Sequence, residues 1–177
     1  MDPRVIVTGH DAEGRSTAVS EHAARGTRAD AFPGLEMFLV WGTRDGIPAL
    51  GAQARDPVLR PFFPGPGGTR LLLARYAPES STPETVGSPA RLEADAEAKF
   101  PGLVATLEPD GTGMHTSDTI DYGVCLEGKL YLELDGGEEV LLAPGTVIVQ
   151  QGTRHTWHNR GDEPALMCFM AVGAQRR

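Results

Sequence analysis

The chain has 177 residues, of which 40% are hydrophobic and 23% are charged. These proportions exclude a disordered or fibrous chain, and the length fits one domain with or without an appendage. Its 16 basic and 24 acidic side chains give a formal net charge of −8, which argues against nucleic acid or an anionic membrane surface as a partner.

The first residues are polar, and no apolar run approaches the roughly 18 residues of a membrane-spanning helix. The sequence therefore predicts neither a signal peptide nor a transmembrane segment, and we expect the protein in the cytoplasm. The two cysteines, Cys125 and Cys168, stand alone in apolar runs. They fit reduced thiols of a cytosolic protein, and a single disulfide between them is also compatible with the sequence.

Short apolar runs are separated by 22 glycines and 14 prolines, a rhythm typical of an all-β protein. The proline-rich segment 56–68 contains Phe62 and Phe63, and it predicts an extended loop held by two aromatic anchors. Runs rich in Val, Leu and Ile predict strands at residues 4–8, 17–20, 36–41, 70–76, 103–107, 123–126, 130–134, 139–142, 146–150 and 165–172.

One helix is predicted at Pro89–Lys99, because Ser88 is a good N-cap and proline is favoured at the first helical position. Leu92, Ala96 and Phe100 lie on the side of this helix that would face the protein body. The preceding residues 77–87 carry prolines, serines and threonines without apolar periodicity, which is typical of a linker.

A β-hairpin is predicted in the C-terminal half. Between Leu130 and Leu134, leucines alternate with Tyr131 and Glu133, and an Asp-Gly-Gly turn at 135–137 leads into the next run. Such alternation gives one apolar and one polar face.

Three regions are expected from these patterns. Residues 1–80 form an N-terminal β extension or a degenerate half-barrel, residues 81–102 form a linker with the short helix, and residues 103–173 form a barrel.

Two segments of the predicted barrel carry candidate metal ligands. His115 and Asp121 are six residues apart, so in an extended segment both point to one face, together with Ser117 and Thr119. Histidine and carboxylate are ordinary ligands of Zn, Fe, Mn and Ni. Spacing alone also allows hydrogen-bonded structural roles for these residues.

The second segment begins at Gly152, which permits a tight turn. In the strand that follows, His155, Trp157 and Asn159 share one face, and His158 points to the other. His155 is therefore a candidate ligand, and His158 is not expected to touch a metal.

Residues 113–159 resemble the paired sequence motifs of the cupin superfamily, small β-barrels whose two motifs bind a divalent metal. The first motif is matched by His115, Asp121 and Gly128, and the second by Gly152, His155 and Asn159 after a Pro144-Gly145 turn. Three positions depart from the family pattern: Ser117 replaces a second histidine, Asp121 replaces a glutamate, and Gln150 stands where proline is usual.

The resemblance implies an antiparallel jelly-roll barrel with a variant metal site. His115, Asp121 and His155 would bind one divalent ion (Fe, Zn, Mn or Ni) and leave positions open for substrate. Ser117 and Thr119 would form a polar lining, and Trp157 an aromatic wall. Because such barrels commonly close an open sheet edge with a second copy, a homodimer is expected.

The implied function is a metal-dependent enzyme acting on a small organic substrate. The cupin subgroup that the first motif resembles includes oxidoreductases of secondary metabolism, so an oxidoreductase or dioxygenase-type reaction is expected. Two alternatives remain open: a non-redox metal-dependent lyase, isomerase or cyclase, and a non-catalytic small-molecule-binding cupin. Nucleophilic catalysis and nucleotide binding are disfavoured, because the sequence contains neither a Gly-x-Ser-x-Gly elbow nor a phosphate-binding glycine motif.

Overall fold

The computed structural model describes residues 2–50 and 56–177. Strands dominate this part of the chain, and the helix α1 (Pro89–Lys99) interrupts them once. The strands are β1 (Arg4–His10), β2 (Ser16–Ala23), β3 (Gly26–Thr27), β4 (Leu35–Thr43), β5 (Thr69–Tyr76), β6 (Thr119–Glu127), β7 (Leu130–Glu133), β8 (Glu139–Leu142), β9 (Val147–Gln151), β10 (Thr156–His158) and β11 (Ala165–Gly173).

The strands form three sheets within the described residues. A six-stranded sheet has the order β3-β4-β5-β11-β6-β9, a three-stranded sheet has the order β10-β7-β8, and β1 pairs with β2. The predicted hairpin is confirmed, since β7 and β8 pair antiparallel in the register Leu130 to Leu142. Gly136 and Gly137 in its turn have positive φ angles of 74° and 78°, the region that favours glycine.

The two larger sheets pack face to face over an apolar core. Cys125 and Met167 come from the six-stranded sheet, and Leu130, Leu132 and Leu142 come from the three-stranded sheet. None of these five side chains is more than 1% exposed. The predicted all-β class and jelly-roll architecture are confirmed.

A second core fills the space between the six-stranded sheet and α1. Ala96 and Phe100 are buried at the helix, as predicted, and Ser88 caps its first turn by accepting a hydrogen bond from the Arg91 amide. The ring of Phe62 makes edge contacts with Phe63 and Phe100, at centroid distances of 4.9 and 5.8 Å. The proline-rich loop is therefore anchored by its aromatic pair, as the sequence indicates.

The β1–β2 hairpin covers the outer face of the same sheet. Val5 and Ala24 pack there against Phe38 and Val40 of β4. In the six-stranded sheet, β4 pairs with β5, and β5 pairs with β11. Part of the region expected as an extension thus builds the main sheet, and the domain boundaries stay predictions.

The strand predicted at 103–107 is wrong. Residues Val104–Thr106 form a 3-10 turn, closed by the Thr106 hydroxyl, which donates to the Leu103 carbonyl at 2.7 Å. The apolar content of this segment predicted a strand. The hydroxyl of Thr106 instead provides the Leu103 carbonyl with a local hydrogen bond, which favours a turn. The two-residue strand β3 is too short to be recognised from sequence.

Cys125 and Cys168 are both free thiols. In the described parts of the chain, we find no helix that is both long and apolar enough to cross a membrane.

Candidate functional site

A cavity of about 490 Å³ lies between the two cores, next to the pair of histidines singled out in the sequence. Its walls come from both halves of the chain and are mostly aromatic or aliphatic. Residues that line it include Phe32, Leu35, Met37, Phe62, Phe63, Leu72, Tyr76, Leu103, Leu107, His115, Asp121, His155, Trp157 and Phe169.

His115 and His155 face each other across an isolated antiparallel bridge. The His115 amide donates to the His155 carbonyl at 2.9 Å, and the His155 amide donates back at 3.0 Å. Their ring centroids are 4.2 Å apart. His115 of the first cupin-like motif and His155 of the second, 40 residues apart in sequence, are thus in contact.

The backbone fixes the tautomer of both imidazoles. Nδ1 of His115 lies 3.0 Å from the Gly113 carbonyl oxygen, and Nδ1 of His155 lies 2.9 Å from the Thr153 carbonyl oxygen. A carbonyl only accepts, so each Nδ1 carries the hydrogen and each Nε2 keeps its lone pair in the neutral ring. Metal-binding histidines are commonly oriented in this way.

Gly152 and Arg154 hold the His155 segment in place. Gly152 has φ +59°, and a Cβ there would come within 2.8 Å of the Ser117 carbonyl oxygen, so this turn requires glycine. Arg154 donates two hydrogen bonds of 2.6 Å to the carboxylate of Glu108 and one of 2.8 Å to Asp135. This fork ties the turn before His155 to the segment that leads to His115.

Aromatic side chains complete the surroundings of the pair. The Trp157 ring meets the His155 ring edge-on at a centroid distance of 5.2 Å, and Phe169 lies 5.3 Å beyond Trp157. Burial lowers the pKa of both histidines. For His155 the pKa falls to about 4, because the neighbouring His115 ring adds to the effect of burial. Both rings are therefore uncharged at neutral pH.

Asp121 lines the same cavity from β6, opposite Gln150 of β9. One carboxyl oxygen, Oδ1, is buried without a hydrogen-bond partner, and so is Nε2 of Gln150. Burial raises the pKa of Asp121 to about 6, partly offset by a hydrogen bond from Thr119. An unsatisfied buried acceptor is costly unless something else binds it.

These residues fit a divalent cation in part. Two neutral imidazoles with free Nε2 atoms and one unpartnered carboxyl oxygen are an appropriate donor set for a transition metal. Within residues 2–50 and 56–177, however, no three His, Cys, Asp or Glu side chains lie close enough together to form a ready metal-holding group. The structure thus brings His115 and His155 together and leaves Asp121 in the cavity wall apart from them.

The other predicted residues take different places. Ser117 and Thr119 are buried, and their hydroxyl groups hydrogen-bond to each other at 2.7 Å. Neither is among the residues that line the cavity, whereas Trp157 is. Asn159 is structural, since its side-chain amide donates to the carbonyls of Tyr76 and Glu163.

His158 takes no part in the histidine pair. Its Nδ1 lies 2.7 Å from a carboxylate oxygen of Glu79, and its Nε2 lies 2.8 Å from one of Glu133. It joins the Glu79–Ser81 turn to the three-stranded sheet.

Sequence reasoning missed the walls contributed by the N-terminal half. Phe32, Met37 and Tyr76 line the cavity together with the aromatic pair of the proline-rich loop. The only signal in the sequence was Phe62-Phe63 within that loop, and it indicated an anchor and not a ligand wall.

Comparison with known proteins gives a family match for the C-terminal part of the chain. Residues 103–172 match the family model described as Cupin domain, which supports the resemblance seen in the motifs. Two solved structures show a general likeness. A Cupin 2 conserved barrel domain protein from Salinispora arenicola is 16% identical, with TM-score 0.43 over 79% of this chain and 76% of that one. A putative ethanolamine utilization protein from Salmonella typhimurium is 9% identical, with TM-score 0.46 over 99% of each chain.

The curated relatives are fungal. Phomopsin biosynthesis cluster protein C' of Diaporthe leptostromiformis is 47% identical over 58 residues, or 32% of this chain and 31% of that protein. The cupin-domain-containing oxidoreductase fogC of Aspergillus ruber is 39% identical over 62 residues, or 33% of this chain and 30% of that protein. The match thus spans about a third of each relative's length.

Proposed function

We propose that this protein is a cupin-type oxidoreductase that acts on a small organic molecule in secondary metabolism. The observation that carries the proposal is the His115–His155 pair, two neutral imidazoles that share one wall of a largely apolar cavity. The names of the matched relatives, which include cupin-domain-containing oxidoreductases and proteins of biosynthesis clusters, support the reaction class and the metabolic setting.

We further propose that His115, His155 and Asp121 hold one divalent metal, either Fe, Zn, Mn or Ni. The imidazoles would bind through Nε2, and the carboxylate of Asp121 would supply the third ligand. A bound divalent metal supplies Lewis-acid polarisation of a substrate oxygen, and a redox-active one also supplies electron transfer. When ionised, Asp121 offsets part of the charge of a dication in a cavity whose walls offer few polar groups.

The chain's own residues prepare the site in three ways. The carbonyls of Gly113 and Thr153 fix the two ring orientations, so little reorganisation accompanies binding. The Trp157 ring packs edge-on against His155 and adds to the contacts that orient it. The apolar walls lower the local polarity, which strengthens electrostatic interactions inside the cavity.

The test is turnover by the full chain reconstituted separately with Fe(II), Mn(II), Ni(II) and Zn(II). Dioxygen consumption and product mass are measured on a panel of small aromatic alcohols and aldehydes. We expect oxidation with a redox-active metal, and loss of that activity in His155→Ala. His22→Ala is the matched control, since His22 is exposed on β2 and should leave the activity unchanged.

Two outcomes would replace the proposal with its alternatives. Equal turnover with Zn(II) and Fe(II), without dioxygen consumption, would indicate a non-redox lyase, isomerase or cyclase. Binding of small molecules without turnover under any metal would indicate a non-catalytic binding protein, a function that the large apolar cavity alone would also serve.

A further inference from the structure

The cavity beside the histidine pair is lined mainly by apolar side chains. At about 490 Å³ it is in the range of pockets that bind drug-sized ligands. Its apolar lining includes Phe32, Phe63, Leu107 and Phe169, with Trp157 beside the pair. Flat aromatic side chains on several walls favour stacking or edge contacts with an aromatic ligand.

No lysine or arginine lies among the described residues that line this cavity. Its acidic side chains are Asp121 and Glu79, and burial keeps the pKa of the Tyr76 phenol raised, so that group stays protonated. Arginines do lie in the neighbouring groove, but Arg28 and Arg75 bind Glu36, and Arg91 binds Asp30. In the metal-free protein an anionic ligand would therefore enter the cavity without a cation to neutralise it, which is strongly unfavourable.

Several polar side chains of the lining already have protein partners, since Glu79 bonds His158 and Asn159 bonds backbone carbonyls. Oδ1 of Asp121 is buried in the cavity wall without a partner, and the histidine pair presents Nε2 atoms that are not used by the backbone. A ligand that fills the cavity is therefore expected to be apolar over most of its surface and to carry a polar group that meets these atoms.

We propose that the cavity binds an uncharged, mainly apolar aromatic molecule that carries a hydrogen-bond donor, such as a hydroxyl group, toward the free Nε2 atoms of the His115–His155 pair. This inference rests on the proposed function only in taking the cavity as the substrate site. It narrows the ligand of the metal-free cavity from any small organic molecule to neutral aromatic molecules with a hydrogen-bond donor, and it disfavours free carboxylates and phosphate esters there.

The test compares two probes of almost equal shape, 4-butylbenzamide and 4-butylbenzoate, by calorimetry on the full chain at pH 7. Chelator-treated protein is used first, because a bound metal would attract the carboxylate by itself. We expect the neutral amide to bind at least about tenfold more tightly than the benzoate, since one factor of ten is a small part of the cost of an unpaired buried charge. Benzoate binding as tight as that of the amide would overturn the inference.

Matched variants locate the binding. Phe169 and Met170 are neighbours on β11, but Phe169 lines the cavity whereas Met170 is 45% exposed on the outer face. Phe169→Leu should weaken amide binding several-fold, and Met170→Leu should leave it unchanged. Equal effects of the two substitutions would contradict the proposed location.

A fluorescence measurement detects ligand binding without altering a residue that lines the cavity. The chain has two tryptophans, and Trp41 packs in the outer cluster with Val5. In Trp41→Phe, emission reports on Trp157 alone and should change as the amide binds. An unchanged emission at saturating amide would place the ligand elsewhere.

Metal uptake and turnover, measured on the same protein preparation, separate this inference from the proposed function. If the amide binds but the protein takes up no metal and shows no turnover, the proposed ligand class is retained and the proposed oxidoreductase activity is not. Metal-dependent turnover by protein whose metal-free form binds the benzoate as tightly as the amide would retain the oxidoreductase and remove the ligand class.

Discussion

Asp121 is the proposed ligand whose position is least favourable for metal binding. Glutamate occupies this position in the cupin motif that the chain resembles, and aspartate is shorter by one methylene, about 1.5 Å of reach. This shortfall agrees with the lack of a ready three-residue metal group among the described residues. We therefore expect Asp121→Glu to raise metal affinity about tenfold or more, measured by competition with a chelator of known affinity. Unchanged or weaker binding would mean that Asp121 is not a ligand.

The same carboxyl group should make the metal-free protein sensitive to pH. Its pKa is raised to about 6 in the fold, whereas an unfolded aspartate ionises near pH 4. The neutral form is thus favoured by folding, and its stabilising contribution is complete below about pH 4 and lost as the pH rises through 6.

The contribution is tested by comparing wild type with Asp121→Asn in chelator, by denaturant unfolding from pH 4 to 7.5. Relative to the variant, wild type should lose about 2–3 kcal/mol of unfolding free energy across this range. Both proteins share the histidines, whose lowered pKa values act in the opposite direction and cancel in the difference. A difference that stays constant with pH would contradict the burial of an uncompensated carboxyl group.

Among the elements, the β1–β2 hairpin has a clear structural task, since it covers Phe38 and Val40 on the outer face of the main sheet. Val5 points to that face and is 9% exposed, whereas its neighbour Ile6 points to solvent and is 50% exposed. Val5→Asp buries a charge and should destabilise the protein by about 2–3 kcal/mol, and Ile6→Asp should change stability by less than about 0.5 kcal/mol. The measurement is urea unfolding of both variants, and equal effects would show that the hairpin does not cover the sheet.

Prediction succeeded where a local signal is specific to one kind of element. The leucine alternation of β7 and the glycines that follow it specify a hairpin locally, and the Ser88 cap and the proline at 89 specify α1 in the same way. Residues 103–107 have the apolar content of a strand but lack a pairing partner along their length, and a side-chain hydrogen bond from Thr106 closes a turn instead. Local composition does not reveal whether a partner strand is available.

For the whole molecule, the sequence indicates the two motifs that carry the candidate ligands but not the shape of the site. The motif resemblance predicts that His115 and His155 serve one site, and the structure brings their rings together. The opposite walls of the cavity come from β4, β5 and the loop that carries Phe62 and Phe63, at least 38 residues before His115 along the chain. Contacts between these walls and the histidines depend on the pairing of β5 with β4 and with β11, and no local sequence pattern encodes that pairing. The homodimer and the cytoplasmic location stay predictions.

The central claim is that the two cupin-like motifs jointly hold one divalent metal in an apolar cavity. Its most direct test is elemental analysis of full-length protein without a histidine tag, loaded with each metal and then desalted. We expect close to one equivalent of metal per chain for wild type and for His158→Ala, and an affinity reduced at least about tenfold in His155→Ala. Wild-type protein that retains no metal, or His155→Ala protein that retains as much as wild type, would contradict the claim.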